Sequence, residues 1–187
     1  MKRPRALLLL LLCGVSAGAG TAFAGSHEFV AEAANSSVKF TARATAHSFT
    51  GTVKKWTLTA SFPGKSDVPE EATFSADIAS IVTGDGKRDK EMWKWFESDK
   101  FATVEFKLKN ITGEGDARVA HGDLVLHGAT KTVDIPVKLE RTDQTVKISG
   151  AITLDHVNFG LPKIRKMAFM TVDPKVKVEF AIAGTLK

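Results

Sequence analysis

Histidine is the residue type that most often serves as a metal ligand or a general base, and the chain contains five histidines. His121 and His127 lie six residues apart on a predicted strand, so their side chains share one face. At about 3.3 Å per residue they are roughly 20 Å apart, which is too far to bind one ion together. The other three are scattered along the chain: His27, His47 and His156. The spacing gives no support for a zinc site, and we expect no metal or other cofactor.

Two short motifs resemble parts of catalytic sites. Gly84-Asp85-Gly86 resembles the start of a dinucleotide-binding loop, but Asp89 stands where the third glycine belongs, so a turn is the better interpretation. Asp155 and His156 are neighbours that point to opposite faces, so they do not form a dyad. An enzyme acting on a lipid or sugar would use His47 or His156 as its base, beside an inward-facing carboxylate or hydroxyl. We predict a protein that is not an enzyme and keep this enzyme as an alternative.

The first 24 residues have the three parts of a secretory signal peptide. Three of the first five residues are basic, the run 6–12 is apolar, and Ala22-Phe23-Ala24 forms a small-residue cleavage site. An apolar run this short does not cross a bilayer as a helix. We predict cleavage after Ala24, export of the protein, and a mature chain of residues 25–187 that forms one domain.

Removal of that leader leaves the charges of the protein nearly balanced. The full chain of 187 residues has 26 basic and 21 acidic residues, and three of the basic ones lie in the leader, so the mature net charge is about +2. Nucleic-acid binding needs a basic face, and we therefore expect no nucleic-acid partner. Cys13 is the only cysteine and leaves with the leader, so the mature chain has no disulfide.

Apolar and polar residues alternate with a period of two through most of the mature chain, which predicts strands with one buried face. About eight such rows occur, near residues 36–46, 50–62, 74–78, 104–108, 117–127, 133–139, 146–154 and 176–182. Eight antiparallel strands predict either a closed barrel or a two-sheet sandwich. A change of parity predicts a bulge near Lys54-Lys55, and Pro136 predicts an edge or an irregularity in its strand.

One segment, from about residue 88 to 97, has the spacing of an amphipathic helix. Met92, Trp93 and Phe96 form its apolar side, and Asp85 or Asp89 is expected to cap its start. A helix inserted here between strands would plug one end of a barrel. A second segment without strand alternation runs from 155 to 171, and connections of this length often carry function.

Short motifs run in order through almost all of the mature chain and are specific as a set, although each is weak alone. They are the segments Ser37-Val38-Lys39-Phe40, His47-Ser48-Phe49 with Gly51, 80–84, Arg88-Asp89 with Met92, 101–106, Gly122-Asp123-Leu124, 127–131 and Asn158-Phe159-Gly160. In order and spacing the set resembles the YceI-like family of exported proteins. Ala102 departs from the family pattern, in which a proline usually follows the aromatic residue, and this departure removes a rigid turn.

The resemblance implies a mainly β fold, an eight-stranded antiparallel lipocalin-like β-barrel with one short α-helix inserted near residues 88–97. It also implies an apolar lumen that holds a long lipid, typically a polyisoprenoid chain, so the expected partner is a long-chain isoprenoid or another lipid. The protein is then expected to be periplasmic and to act as a carrier or storage protein. The alternatives are a barrel enzyme with a lipid-like substrate and a packed structural or interaction barrel without a ligand.

The composition is compatible with such a lumen. The chain has 12 phenylalanines and no tyrosine, so its aromatic rings bring no phenol groups that need partners in a dry interior. An eight-stranded barrel is either filled by side chains or open for one small ligand, and alternation alone is compatible with both. Small residues on the predicted inward faces leave room for a lipid tail: Ala72, Ala76, Ala120, Gly122 and Gly150.

The predicted ligand-binding residues are mostly apolar and come from the strands, the helix and the long loop. They are Phe40, His47, Phe49, Phe74, Trp93, Phe96, Phe106, Leu124, Leu126, Ile148, Phe159, Ile164 and Phe180. Arg88, Lys163 and Arg165 are predicted to meet a polar headgroup. The basic loop residues, which include Lys166, also suit a transient contact with a membrane surface. The sequence further allows a homodimer.

Overall fold

The computed structural model describes residues 25–166 and 170–187. The predicted signal peptide and Cys13 lie outside the described residues. The described part contains one α-helix, α1 (Gly86–Trp95), which lies between β6 and β7. The strands are β1 (Ser26–Ala31), β2 (Ser37–Arg43), β3 (Ser48–Val53), β4 (Trp56–Pro63), β5 (Glu71–Asp77), β6 (Ile81–Val82), β7 (Thr103–Thr112), β8 (Val119–Leu126), β9 (Ala129–Thr142), β10 (Thr145–Asp155), β11 (Arg165–Lys166), β12 (Met170–Thr171) and β13 (Lys175–Leu186).

Eight of these strands close into an antiparallel barrel, in the order β1, β4, β5, β7, β8, β9, β10 and β13. The last of them, β13, pairs back with β1 through Phe29↔Leu186 and its neighbours. Because the sheet returns to its first strand, the fold is a closed barrel and not a two-sheet sandwich. The prediction of a mainly β, eight-stranded antiparallel barrel with one helix is confirmed.

At two places in the barrel wall, two consecutive strands with a short break between them take the place of one continuous strand. β1 and β2 both run along β13, and the short 3-10 helix Ala33–Asn35 separates them. β3 and β4 are separated by Lys54 and Lys55, where the parity of the sequence changes. The predicted bulge is therefore a complete break in the strand. β3 pairs with β2 and with the short β6, so these strands continue the wall beyond β1 and β4.

The wall is only partly hydrogen-bonded between β9 and β10. Their pairing ends at Val137↔Gly150, although both strands continue. Pro136 is the next residue of β9, and its missing N–H fits the end of the ladder. The irregularity predicted at Pro136 is confirmed. The 3-10 helix His156–Phe159, which follows β10, contacts β9.

The α-helix begins and ends two residues earlier than predicted. It spans Gly86–Trp95 because Asp85 is its N-cap. The carboxylate of Asp85 accepts hydrogen bonds from the N–H groups of Arg88 and Lys87, and these bonds hold its pKa below the usual range. The second predicted cap, Asp89, lies inside the helix instead. Its buried carboxylate accepts hydrogen bonds from the N–H and the hydroxyl of Thr83 at 2.8 and 2.6 Å.

Candidate ligand-binding lumen

The inner face of the barrel is apolar from one end to the other. The inward side chains form three hydrophobic clusters that share partly buried members. Phe106 packs against the second and third clusters, whereas Ile148 and Phe180 pack against the first and third. The three clusters therefore form one continuous interior.

One end of this interior, which we call the sealed end, is closed by side chains alone. Phe62 and Val146 are 0% exposed there, and Phe29 and Leu186 pack against them. These residues come from β4, β1, β13 and β10, which are four consecutive strands of the barrel. The result is a small packed core of the ordinary kind.

The opposite end, which we call the helix end, is covered by α1 and by the segment that follows β10. Ile78 is 0% exposed and Leu161 is 1% exposed. The helix contributes Met92 and Trp95 to the same cluster, and Phe96 follows directly after the helix. The structure thus places the helix over one end of the barrel, as the sequence predicts.

The middle of the barrel contains many inward side chains that are less buried than Phe62 and Val146 at one end and Ile78 and Leu161 at the other. Seven of these side chains are apolar and only half-buried, and some of them pair with buried residues such as Val38 and Leu124: Phe40, Phe74, Phe106, Ile148, Ile152, Val178 and Phe180. In a close-packed interior the central layer is the most buried one. These inward residues keep accessible surface, which a lumen with space for a ligand requires.

Most of the predicted lining residues lie along this interior. Five are half-buried in the middle of the barrel: Phe40, Phe74, Phe106, Ile148 and Phe180. Three are buried in the cluster at the helix end: Leu124, Leu126 and Phe159. Phe49, Phe96 and Ile164 are half-buried, and Phe49 meets Phe40 edge to face with ring centres 6.2 Å apart.

Two tryptophans of the helix have different surroundings. The indole N–H of Trp93 donates to the carbonyl of Ile81 at 2.8 Å, and its ring lines a surface groove beside Lys94. Trp95 packs into the cluster at the helix end, and its indole N–H donates to the carbonyl of Pro162 at 3.0 Å. The sequence prediction named Trp93 and missed Trp95. The i, i+3 spacing of Met92 and Trp95 is the signal that identifies it.

Arg88 and His47, the polar residues of the family-like motifs, lie near the same end. The guanidinium of Arg88 lies 4.8 Å from the centre of the Phe49 ring and 3.3 Å from a carboxylate oxygen of Asp85. His47 is exposed in the turn between β2 and β3. These positions place one cation, Arg88, against the edge of the aromatic interior.

The other two headgroup candidates are also exposed: Lys163 precedes β11, and Arg165 is the first residue of β11. Arg165 pairs with Thr171 between β11 and β12, and the N–H of Thr45 donates to the carbonyl of Thr171 at 3.0 Å. Because Thr45 lies in the turn between β2 and β3, the basic loop and this turn are adjacent. The structure therefore brings the predicted cations to one end of the barrel, on its surface.

His156 is the buried member among the described histidines, at 4% exposed. It continues the inward row of β10, and its ring lies edge-on to Trp95 with ring centres 4.9 Å apart. Burial lowers the pKa of His156, so the neutral form is favoured at neutral pH. Neither ring nitrogen has a hydrogen-bonding carboxylate or hydroxyl among the described residues. The pairing that an enzyme would need at His156 is therefore not formed there.

His121 makes local contacts on the outer side of the barrel. His121 lies between the hydroxyl of Thr112 at 2.7 Å and the carboxylate of Asp134 at 2.6 Å, and all three belong to the outer side of β7, β8 and β9.

Within the described ranges, no three His, Cys, Asp or Glu side chains are grouped closely enough to hold a metal ion. In the same part of the chain, no helix has both the length and the apolar character needed to span a bilayer.

The motifs, the barrel and the inserted helix coincide with one known family. The family model described as the YceI-like domain matches residues 29–183, which is most of the chain. The chain belongs to the YceI-like family. Protein YceI of Shigella flexneri is 26% identical over 138 residues, and the match covers 72% of each chain. Protein YceI of Escherichia coli O157:H7 matches to the same extent. The resemblance found in the short motifs is confirmed.

Two solved structures share the YceI-like fold of this chain. BcnA of Burkholderia cenocepacia has a TM-score of 0.74 and 20% sequence identity, and the match covers 83% of this chain and 100% of BcnA. A polyisoprenoid binding domain from Saccharophagus degradans has a TM-score of 0.67 and 16% identity, and the match covers 86% of this chain and 98% of that domain. At these identities the likeness establishes the fold.

Proposed function

We propose that this YceI-like protein binds a long-chain isoprenoid, or another long apolar lipid, inside its barrel and acts as a carrier or storage protein. The observation that supports the proposal most is the half-buried apolar middle between two closed ends. The similarity in fold to a domain described as binding polyisoprenoids agrees with it.

The interior suits a ligand that is held by burial. The inward residues of the middle layer are phenylalanine, isoleucine and valine, so the ligand segment beside them meets hydrocarbon. Burying apolar surface contributes about 25 cal/mol per Å², part of which offsets the lost freedom of the chain. Selectivity would then arise from the length and the width of the ligand.

The length of the barrel fits a chain of several isoprene units. β13 has 12 residues, which span roughly 40 Å at about 3.3 Å per residue. The usual tilt of barrel strands reduces this to roughly 30 Å along the axis. An extended chain therefore has room to lie along the interior, with its polar end towards the basic residues of the helix end.

Calorimetric titration with farnesol, geranylgeraniol and solanesol tests the proposal directly. Each added isoprene unit buries more apolar surface, so affinity is expected to rise by at least about tenfold from farnesol to geranylgeraniol. Absence of heat and of any competition with all three alcohols would contradict a lipid-binding barrel.

A pair of variants on β13 shows where the lipid binds. Val178 is half-buried on the inner face, whereas its neighbour Glu179 is exposed on the outer face. Val178→Trp would fill the middle layer and abolish binding of geranylgeraniol, while Glu179→Trp would leave it unchanged. Equal affinity of both variants would place the ligand outside the barrel and overturn the proposal.

We also propose that the protein is exported and acts in the periplasm. The basic start, apolar run and small-residue cleavage site of the first 24 residues support this. The intact mass of protein from the periplasmic fraction is expected to match a chain that begins at Gly25. Full-length protein confined to the cytoplasm would contradict it.

A transient membrane contact through the loop of Lys163 and Arg165, and a homodimer, remain predictions.

The two alternative functions predict different results. A barrel enzyme with His47 or His156 as base would lose turnover of a lipid-like substrate when either residue is replaced by alanine. A packed structural barrel would bind none of the prenyl alcohols. The surroundings of both histidines and the half-buried middle layer favour the carrier over these alternatives.

A further inference from the structure

Four glycines on the inner wall of the barrel lie beneath phenylalanine rings. At each position a Cβ atom would meet the ring of a phenylalanine on a neighbouring strand within 3 Å. The pairs are Gly51 with Phe40, Gly122 with Phe106, Gly150 with Phe180, and Gly184 with Phe29. Glycine within a strand often marks such a close approach. Because glycine has no side chain, each of these rings can lie directly against the wall of the barrel.

Gly51 is the position where the ring alone occupies the space. A Cβ there would lie 2.6 Å from Cζ of Phe40 and even closer to Cε1, and the three nearest atoms all belong to that ring. At Gly122, Gly150 and Gly184 a backbone carbonyl also lies in the way. The φ angle of Gly51 lies outside the left-handed region, so its backbone accepts other residues.

The ring of Phe40 borders the middle of the lumen. Phe40 pairs with Gly51 on one side and with Val178 of β13 on the other, and Val178 pairs with Ile152 of β10. These four residues form one row across the inner face of four strands. Phe40, Val178 and Ile152 are half-buried, so the space beside them is where a displaced ring would go.

We propose that Gly51 is a specificity-determining residue, because it holds the Phe40 ring against the wall and so sets the width of the lumen for a methyl-branched chain. This inference rests on the proposed function. A side chain at position 51 forces the ring off the wall and into the lumen. The narrower lumen then accepts a straight hydrocarbon chain better than a branched one.

The test uses two alcohols with main chains of equal length, geranylgeraniol and the unbranched hexadecan-1-ol. Titrations are made with the unmodified protein, Gly51→Ala, Phe40→Leu and the double variant Gly51→Ala/Phe40→Leu. Phe40→Leu removes Cε1 and Cζ, the two ring atoms nearest to the added methyl group. Gly86→Ala is the matched control, since a Cβ at Gly86 meets no atom within 4 Å. Circular dichroism confirms that each variant is folded.

Overpacking of this kind is expected to weaken geranylgeraniol binding by about tenfold or more in Gly51→Ala, and hexadecan-1-ol binding by less than about threefold. The double variant is expected to recover geranylgeraniol affinity to within about threefold of the unmodified protein, and Gly86→Ala to match it. Unchanged affinity in Gly51→Ala, or a double variant as weak as Gly51→Ala, would overturn the inference while leaving lipid binding intact. Failure of the unmodified protein to bind either alcohol would instead overturn the proposed function.

Discussion

The sealed end and the middle of the barrel are built from the same residue types but pack differently. At the sealed end, Phe29 and Phe62 lie with ring centres 6.3 Å apart and are almost completely buried. In the middle, Phe106 and Phe180 also point inward, yet both are half-buried. Hydrophobic side chains therefore form a solid core at one level of the barrel and a lining at another.

The difference arises from what lies opposite each ring. The rings at the sealed end pack against Val146, Ile182 and Leu186, which are themselves buried. The rings of Phe106 and Phe180 lie over Gly122 and Gly150, just as the ring of Phe29 lies over Gly184, so a glycine beneath a ring occurs at both levels. The fully buried aliphatic side chains around the rings, and not the glycines beneath them, distinguish the sealed end from the middle.

Truncation of one ring at each level is expected to give the largest contrast in stability. Phe62→Ala removes a ring that is 0% exposed and should lower the free energy of unfolding by about 3–5 kcal/mol. Phe180→Ala removes a half-buried ring and should cost less than about 2 kcal/mol, because less surface returns to water. Urea denaturation of the ligand-free proteins measures both. Equal losses would show that the middle is packed as tightly as the sealed end.

At the helix end, loss of the Asp89 carboxylate should have an intermediate effect. Asp89→Ala leaves the N–H and the hydroxyl of Thr83 without their partner, and should lower the free energy of unfolding by about 1–3 kcal/mol. Glu91→Ala on the exposed side of the same helix is the control, with an expected change within about 0.5 kcal/mol. Similar values for the two variants would mean that the buried carboxylate does not hold the helix in place.

The loss of one hydrogen bond at the helix end should be a smaller effect. Trp95→Phe keeps an aromatic ring in the cluster but removes the donor to the carbonyl of Pro162. The expected cost in the free energy of unfolding is about 1 kcal/mol. An unchanged melting temperature would show that the hydrogen bond between Trp95 of α1 and Pro162 adds nothing to stability.

Stability should also respond to pH through His156. Burial lowers its pKa below the ordinary 6.5, so the unfolded chain takes up a proton before the folded protein does. The free energy of unfolding should therefore fall as the pH drops below about 6.5 and level off below the lowered pKa of the folded state. Denaturation of the unmodified protein and of His156→Phe between pH 7.5 and 5 measures this. A decline that is identical in the two proteins would assign the pH dependence to other groups.

Alternation predicted the antiparallel strands, because it depends only on which face of a strand is wet, while the choice of a barrel over a sandwich came from the resemblance to the YceI-like family. The rows that contain Phe74, Phe106 and Phe180 point inward as expected. The break at Lys54-Lys55 was visible as a change of parity, and Pro136 marked the end of a ladder. Each of these features is local, and local chemistry determines it.

The packing of the lumen was not predictable in the same way. Whether a ring at Phe40 fills the axis or lies on the wall depends on Gly51, which is eleven residues away and adjacent only through strand pairing. The start of the helix at Gly86 depends on the cap at Asp85 rather than on apolar spacing. Trp95 was missed because the stripe was assigned to Met92, Trp93 and Phe96.

Native mass spectrometry of the protein purified from its own host without detergent tests the central claim most directly. If the middle of the barrel holds a lipid, a fraction of the molecules should carry one adduct with the mass of a long-chain lipid. That adduct should be absent from Val178→Trp and retained in Glu179→Trp. A spectrum of bare protein from the host, with no adduct formed on addition of geranylgeraniol or solanesol, would contradict the account.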